Sequence, residues 1–271
     1  MAKENFLHQF ADTKKDGNYD FLPALIKEQA ITDVIVCGGD GTVNQVTSSL
    51  LDSKVNVGII PMGSGNGLAF AAGIPKNAAA AIEIIIKGKS SSVDAFYINK
   101  QFSCMLCGIG FDAQVAHDFA KQKSRGLASY VKQTLKNFFS VTAYPFTIDI
   151  NNTQINTQSF FISIANSNQF GNHVTIAPKA SLNDGLLDIV IVNKMNKINF
   201  VYAVLKQIKS GKLQQVTESD FEKRDIQYLQ AKKLSIQNPA MAPLHIDGEP
   251  SQTSSSFEIN IVENAFKLLQ K

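Results

Sequence analysis

Val34-Ile35-Val36-Cys37 runs directly into Gly38-Gly39-Asp40-Gly41-Thr42-Val43-Asn44-Gln45, and this junction limits the fold more than any other stretch of the chain. A short apolar run rich in β-branched residues and closed by glycines reads as a buried strand, and Val46 and Leu50 continue with helical spacing. Glycine at three of four positions lets backbone N–H groups close on an anion. The helix N-terminus adds unpaired donors and a partial positive charge. Glycines kept only for tight packing would look the same, but Asp40 separates the two cases. A carboxylate inside an anion-binding turn is repulsive unless a cation bridges it to the phosphate. The junction therefore reads as a site for a nucleotide with Mg2+.

A second turn of this kind follows about twenty residues on. Val57-Gly58-Ile59-Ile60 is another buried-strand candidate, and Pro61-Met62-Gly63-Ser64-Gly65-Asn66-Gly67-Leu68-Ala69 opens a helix through a second glycine-rich loop. Two such loops after adjacent strands line one crevice at the carboxyl edge of an open α/β sheet, with Ser64 and Asn66 offering neutral hydrogen bonds to a nucleotide.

Gly38-Gly39-Asp40-Gly41-Thr42, Pro61-Met62-Gly63-Ser64-Gly65-Asn66 and, far downstream, Asp247-Gly248-Glu249 resemble the three signatures of the diacylglycerol kinase catalytic-domain superfamily, which includes bacterial lipid kinases and sphingosine and ceramide kinases. The resemblance runs from about Thr13 to the C-terminus. It implies ATP and Mg2+ as cofactors. The nucleotide would be held by Thr13, Gly38, Gly39, Asp40, Gly41, Thr42, Asn44, Gln45, Gly63, Ser64, Gly65 and Asn66. It also implies Glu249 as proton acceptor, with Asp247 as its alternative, and Asp40 orienting the cation and phosphates. The acceptor is expected to be a hydroxyl on a diacylglycerol-like or sphingoid-like lipid presented at a membrane surface. An NAD kinase, which shares the Asp40 turn, and a family member that binds nucleotide or lipid without catalysis are the alternatives.

The third signature has a physical reading of its own. If Asp247-Gly248-Glu249 is extended, both carboxylates project to one side with room between them; if Asp-Gly forms a tight turn, it is an ordinary solvated hairpin. His245 beside it reads as a packed strand histidine. Ser181-Leu182-Asn183-Asp184-Gly185-Leu186 is another acidic turn. The resemblance implies a structural Mg2+ there, on Asp184 and the carbonyls of Ser181 and Leu186; a hairpin turn with no ion is the alternative. Gly108 to Asp112 and Asn166 to Asn168 also resemble turns of the family.

Residues 1–92 alternate strand and helix, with helices expected over 21–30, from after Thr42 to about Leu51, after Ser64 and over 78–87. This predicts an α/β, doubly wound, NAD kinase-like nucleotide-binding domain. The family's opening strand and Asn-Pro loop have no counterpart in residues 1–10. Phe6 to Phe10 is expected to be the family's second strand. From Val93 the rhythm turns to short strands over 93–98, 102–107, 145–150, 159–164, 187–192, 233–236 and 257–261, which predicts an all-β sandwich over 93–257 that receives the lipid. Two helices interrupt it, at 113 to about 139 and at 197–210. The last segment, 258–271, is expected to pack back on the first domain, with a short helix over 264–269.

A net charge of +3 without any Arg- or Lys-rich block speaks against a nucleic-acid partner. Three cysteines, Cys37, Cys104 and Cys107, and no signal peptide read as cytoplasmic. Cys104 and Cys107 have redox spacing, but on a strand they would point to opposite faces. No apolar run approaches the length of a membrane span, so membrane contact is expected to be peripheral, at the inner face. Lys121, Lys123, Arg125, Lys132 and Lys136 among aromatic residues form either a surface for an anionic bilayer or a solvated basic face. A homodimer is compatible with the sequence.

Overall fold

The computed structural model describes residues 7–121, 133, 137, 141–169, 177, 179–196 and 225–271. The α/β part begins with helix α1 (Leu22–Gln29), which has Pro23 in its first turn and ends in a left-handed Ala30. Strand β1 (Asp33–Gly38), helix α2 (Asp40–Ser49), strand β2 (Asn56–Pro61), helix α3 (Gly67–Ala71) and helix α4 (Ala78–Lys87) follow. β1 and β2 are parallel, with Val36 opposite Ile59. Asn77 caps α4 by accepting the Ala80 amide at 3.0 Å.

The β-rich part comprises β3 (Lys89–Ile98), β4 (Gln101–Ser103), β5 (Leu106–Gly110), β6 (Tyr144–Ile150), β7 (Thr153–Ala165), β8 (Leu187–Asn193), β9 (Ile226–Ala231), β10 (Lys233–Gln237), β11 (Leu244–Ile246), β12 (Glu249–Ser251) and β13 (Ser256–Gln270). Helix α5 (Phe111–Ala120) leads out of β5 and packs on β5, β11 and β12. One apolar core, including Val57, Ile59, Leu68, Phe266 and Leu268, joins the first helices to the parallel strands. A second, including Phe96, Ile148, Ile162, Ile189 and Phe257, fills the β-rich part, and a third surrounds Phe111, Phe160 and Tyr228.

Several expectations change. Asn264 to Leu269 is strand, not helix: β13 runs antiparallel to β3, and its end, Lys267 and Leu268, pairs parallel with β2. Asn264 in the left-handed conformation marks the irregularity between Val262 and Phe266, which lets one strand continue from the β-rich part into the α/β part. Its helix-like apolar spacing at Phe266, Leu268 and Leu269 arises because both faces are covered. The chain therefore builds one mixed sheet in which, among the described residues, parallel pairing is limited to β1 with β2 and β2 with β13, so the α/β part expected over residues 1–92 supplies a parallel start to a mostly antiparallel sheet. Leu7 to Phe10 form no strand; Leu7 and Phe10 are fully exposed, with no sheet edge against them. The single strand expected over 102–107 breaks at Cys104 and Met105, whose amides turn toward a carboxylate described below.

Asn151 and Asn152, both with positive φ, make the two-residue hairpin turn between β6 and β7. The expected helix after Ala113 begins at Phe111; apart from Gln133 and Asn137, which are helical, its continuation beyond Lys121, most of the basic and aromatic cluster, and the helix at 197–210 lie outside the described residues. No described helix is long and apolar enough to cross a membrane.

Candidate active site

The two glycine loops meet backbone to backbone. A Cβ on Gly63 would come within 2.6 Å of the Gly39 Cα, so any side chain there would force the loops apart. The N-terminus of α2 is left uncapped: Gly39 precedes it in an extended conformation, and no side chain accepts from its first amides. A Cβ on Gly41 would meet nothing within 4 Å, so this end of the helix faces open space. Uncapped amides beside open space suit a phosphate.

The second loop serves a different purpose from the one expected. Asn66 sits in the left-handed region, is 2% exposed, and closes its own loop by accepting the Gly63 amide and donating to the Gly63 carbonyl, both at 2.8 Å. The amides at the start of α3 are also spoken for. Asp40 Oδ2 accepts the Asn66 N–H at 2.7 Å, the amides of Gly67 and Leu68 lie near enough to favour the charged carboxylate, and the Leu68 N–H donates to Met105 Sδ at 3.2 Å. Asn66 is thus turned away from the crevice, while Ser64 is exposed. Burial pushes the Asp40 carboxyl up to about 6, with the Asp247 charge adding to the rise and the three amides opposing it.

The raised Asp40 pKa has a signed consequence for stability. A carboxyl whose folded pKa is raised adds stability that is complete below its unfolded value near 4 and is lost as pH rises through about 6. Asp40→Asn cannot ionise and keeps an acceptor for the amides. It is expected to match wild type near pH 4 and to be about 1–3 kcal/mol more stable above pH 7, read by urea denaturation across pH.

Asp247 and Glu249 do not share a side. Asp247 (φ +48°) and Gly248 (φ +85°) are the two residues of the turn between β11 and β12, so the carboxylates part company. Asp247 is 5% exposed and surrounded by donors. Its Oδ1 accepts from Ser103 Oγ at 2.6 Å, Leu106 N at 3.0 Å and Met105 N at 3.2 Å. Its Oδ2 accepts from Asn44 Nδ2 at 2.7 Å and Cys104 N at 3.2 Å. Asn44, one turn along α2 from Asp40, also donates to the Phe102 carbonyl at 3.1 Å. Glu249 is exposed. It lines a cleft of about 480 Å3 shared with Gly41, Asn44, Gln45, Lys100 and Gln101, a size ordinary for a small-molecule site. Stretches from opposite ends of the chain therefore converge on this cleft.

Lys100 went unnoticed in the sequence. It follows Asn99, a positive-φ residue, in the tight turn between β3 and β4, and only the folded sheet brings this cation to the cleft that Gly41 and Asn44 of α2 also line. Other expected residues lie elsewhere. Thr13 is exposed in the irregular segment before α1, although Gly17 in the same segment packs against Gln45. Thr42 packs on Gly38.

The Ser181 to Leu186 turn is held from within the protein: buried Asp94 accepts the Gly185 amide at 2.8 Å and the Asn264 amide at 2.7 Å, and Asp184 Oδ1 accepts the Leu186 amide at 3.1 Å. Among the described residues no three His, Cys, Asp or Glu side chains converge where they could share a metal ion. A cation here would thus be held by single carboxylates with backbone or phosphate oxygens. Asp40, repelled by Asp247 beside open amides, fits that description. Cys104 and Cys107 are free, buried thiols pushed well up by burial and by the Asp247 charge, which opposes redox chemistry.

Residues 1–98 match the family described as diacylglycerol kinase catalytic domain, and residues 106–270 match the YegS C-terminal NAD kinase beta sandwich-like domain. The chain is 26% identical over 230 residues to a "probable lipid kinase YegS-like" of Chromohalobacter salexigens, covering 82% of this chain and 71% of the relative. It is 26% identical over 231 residues to the diacylglycerol kinase of Bacillus subtilis, covering 82% and 74%. The crystal structure of a diacylglycerol kinase from Bacillus anthracis shares the fold, with a TM-score of 0.72 over 96% of this chain and 83% of that one, at 21% identity.

Proposed function

Because the chain belongs to the diacylglycerol kinase catalytic-domain family and carries that family's YegS-type C-terminal domain, we propose that it is a lipid kinase that transfers the γ-phosphoryl group of ATP to a hydroxyl of a diacylglycerol-like or sphingoid-like lipid. The observation that carries this reading is the cleft itself, lined by Gly41 near the uncapped start of α2, by Lys100 and by the exposed Glu249.

The amides of α2 and the Lys100 ammonium hold phosphate oxygens, which fixes the donor in line with the acceptor. Glu249 accepts the proton of the attacking hydroxyl, because its carboxylate is open to the cleft. Asp247 does not compete for that role: five donors already fill the roughly four lone-pair sites of a carboxylate. Asp40 would hold Mg2+, which when bound neutralises phosphate charge. A second Mg2+ at the Asp184 turn, with the Ser181 and Leu186 carbonyls, would be structural. The lipid approaches from a membrane surface that the protein meets peripherally.

Incubating the full chain with γ-labelled ATP, Mg2+ and vesicles containing diacylglycerol or sphingosine tests the proposal. Labelled lipid that disappears without Mg2+ is expected. Labelled NADP on supplying NAD, or nucleotide binding with no transfer to any lipid, would overturn it.

A further inference from the structure

The short strand that presents Glu249 is only three residues long and lies at the end of the sheet path, so backbone pairing alone holds it weakly. Two contacts from α5 reach the preceding strand. His117 Nε2 is 2.7 Å from the Leu244 carbonyl, and Asp112, at the start of α5, faces His245. His245 is fully buried and Asp112 is 7% exposed. On one side of the imidazole, Nδ1 accepts the Gly248 amide at 3.3 Å, inside the turn that precedes Glu249. On the other, Nε2 lies 3.4 Å from Asp112 Oδ2, while Asp112 Oδ1 accepts the Ala113 amide at 2.8 Å.

An Nδ1 that accepts leaves the ring proton on Nε2, facing the carboxylate. Room for this pair is made by Gly108 on β5. A Cβ there would stand 1.9 Å from Asp112 Oδ2 and 2.5 Å from His245 Nε2. Three elements are thus shaped around one side-chain pair that none of the nucleotide chemistry uses.

We propose that Asp112 and His245 form a positioning dyad: the carboxylate selects the Nε2–H form of the imidazole, and the Nδ1 lone pair holds the Gly248 amide so that Glu249 faces the cleft. The proposal rests on Glu249 as the proton acceptor, and neither member touches substrate. Its failure mode is chemical. An amide at position 112 keeps its oxygen on the Ala113 N–H and turns NH2 toward Nε2. Two donors then face each other, the ring proton moves to Nδ1, and Nδ1–H repels the Gly248 N–H.

Asp112→Asn is therefore expected to lower kcat by about 10–100-fold with KM for ATP within about twofold. Two substitutions at His245 divide the links. Asn places an acceptor near the Nδ1 position and keeps the Gly248 contact; Gln places a donor near Nε2 and keeps only Asp112. His245→Asn is expected to retain at least about tenfold more kcat than His245→Gln.

Long-range 15N–1H spectra of the ring should show Nε2–H in wild type and Nδ1–H in Asp112→Asn. Gly248 amide exchange should quicken by about tenfold or more in Asp112→Asn and His245→Gln but not in His245→Asn. Equal kcat for the two His245 variants, an Nδ1–H wild type, or unchanged Gly248 exchange would each overturn the dyad. If wild type transfers phosphate to no lipid, the kinase reading fails by itself, and the ring spectra and Gly248 exchange still decide the dyad. If Asp112→Asn does not fold, the two His245 variants decide it.

Discussion

Glu249→Gln is expected to reduce kcat for lipid phosphorylation by about 10²–10³-fold, with KM for ATP within about twofold and the melting temperature within about 1 °C. The carboxylate is exposed at the cleft, and its replacement by a neutral amide of the same shape leaves packing and the turn undisturbed. What it removes is the basicity needed as the acceptor hydroxyl loses its proton. Steady-state kinetics with vesicle-bound lipid and a thermal melt measure both sides of the claim. A kcat within about threefold of wild type would remove Glu249 from the mechanism.

Asp247→Ala, two residues away, should do the opposite first. It is expected to destabilise the fold by roughly 3–5 kcal/mol, whatever happens to activity, because it strands Asn44 Nδ2, the Ser103 hydroxyl and three backbone amides in a buried place. For a chain of this length that corresponds to a melting temperature lower by about 10 °C. Asp247→Asn should sit between wild type and Ala, since one oxygen can still accept while the amide NH2 meets further donors. The loss should be absent from the neighbouring Glu249 variant. Equal stability of the two variants would refute the division of labour between these carboxylates. That division also explains Asn44, which ties α2, and with it the Asp40 turn, to the hairpin that carries Glu249, across 203 residues of sequence.

The strand, glycine turn and helix around Asp40 were legible because each signal lies within a dozen neighbouring residues: β-branched run, glycines, then apolar residues at helical spacing. The Asp-Gly hairpin was legible too, as one of two readings, since the dipeptide favours positive φ. Less could be read where two partners decide. The tail at 264–269 has helical apolar spacing, yet it is strand because β2 and β3 flank it on either side. Asn66 and Ser64 look equivalent in the loop, but a left-handed backbone turns one inward to close the loop and leaves the other exposed. His245 read as a packed histidine, and it is packed; that its two nitrogens join Asp112 to Gly248 depends on β5 passing with a glycine at position 108.

By itself the sequence determined which short stretches become tight glycine turns, since backbone conformation there follows from glycine, asparagine and aspartate acting over a few bonds. Only the tertiary structure decided which carboxylate is available for chemistry. Asp40, Asp247 and Glu249 are chemically alike, and what separates them is the number of donors brought to each by segments far away in the chain. Asp247, buried and filled by five donors, holds the fold together, while Glu249, exposed in the cleft, has a carboxylate free of such donors among the described residues.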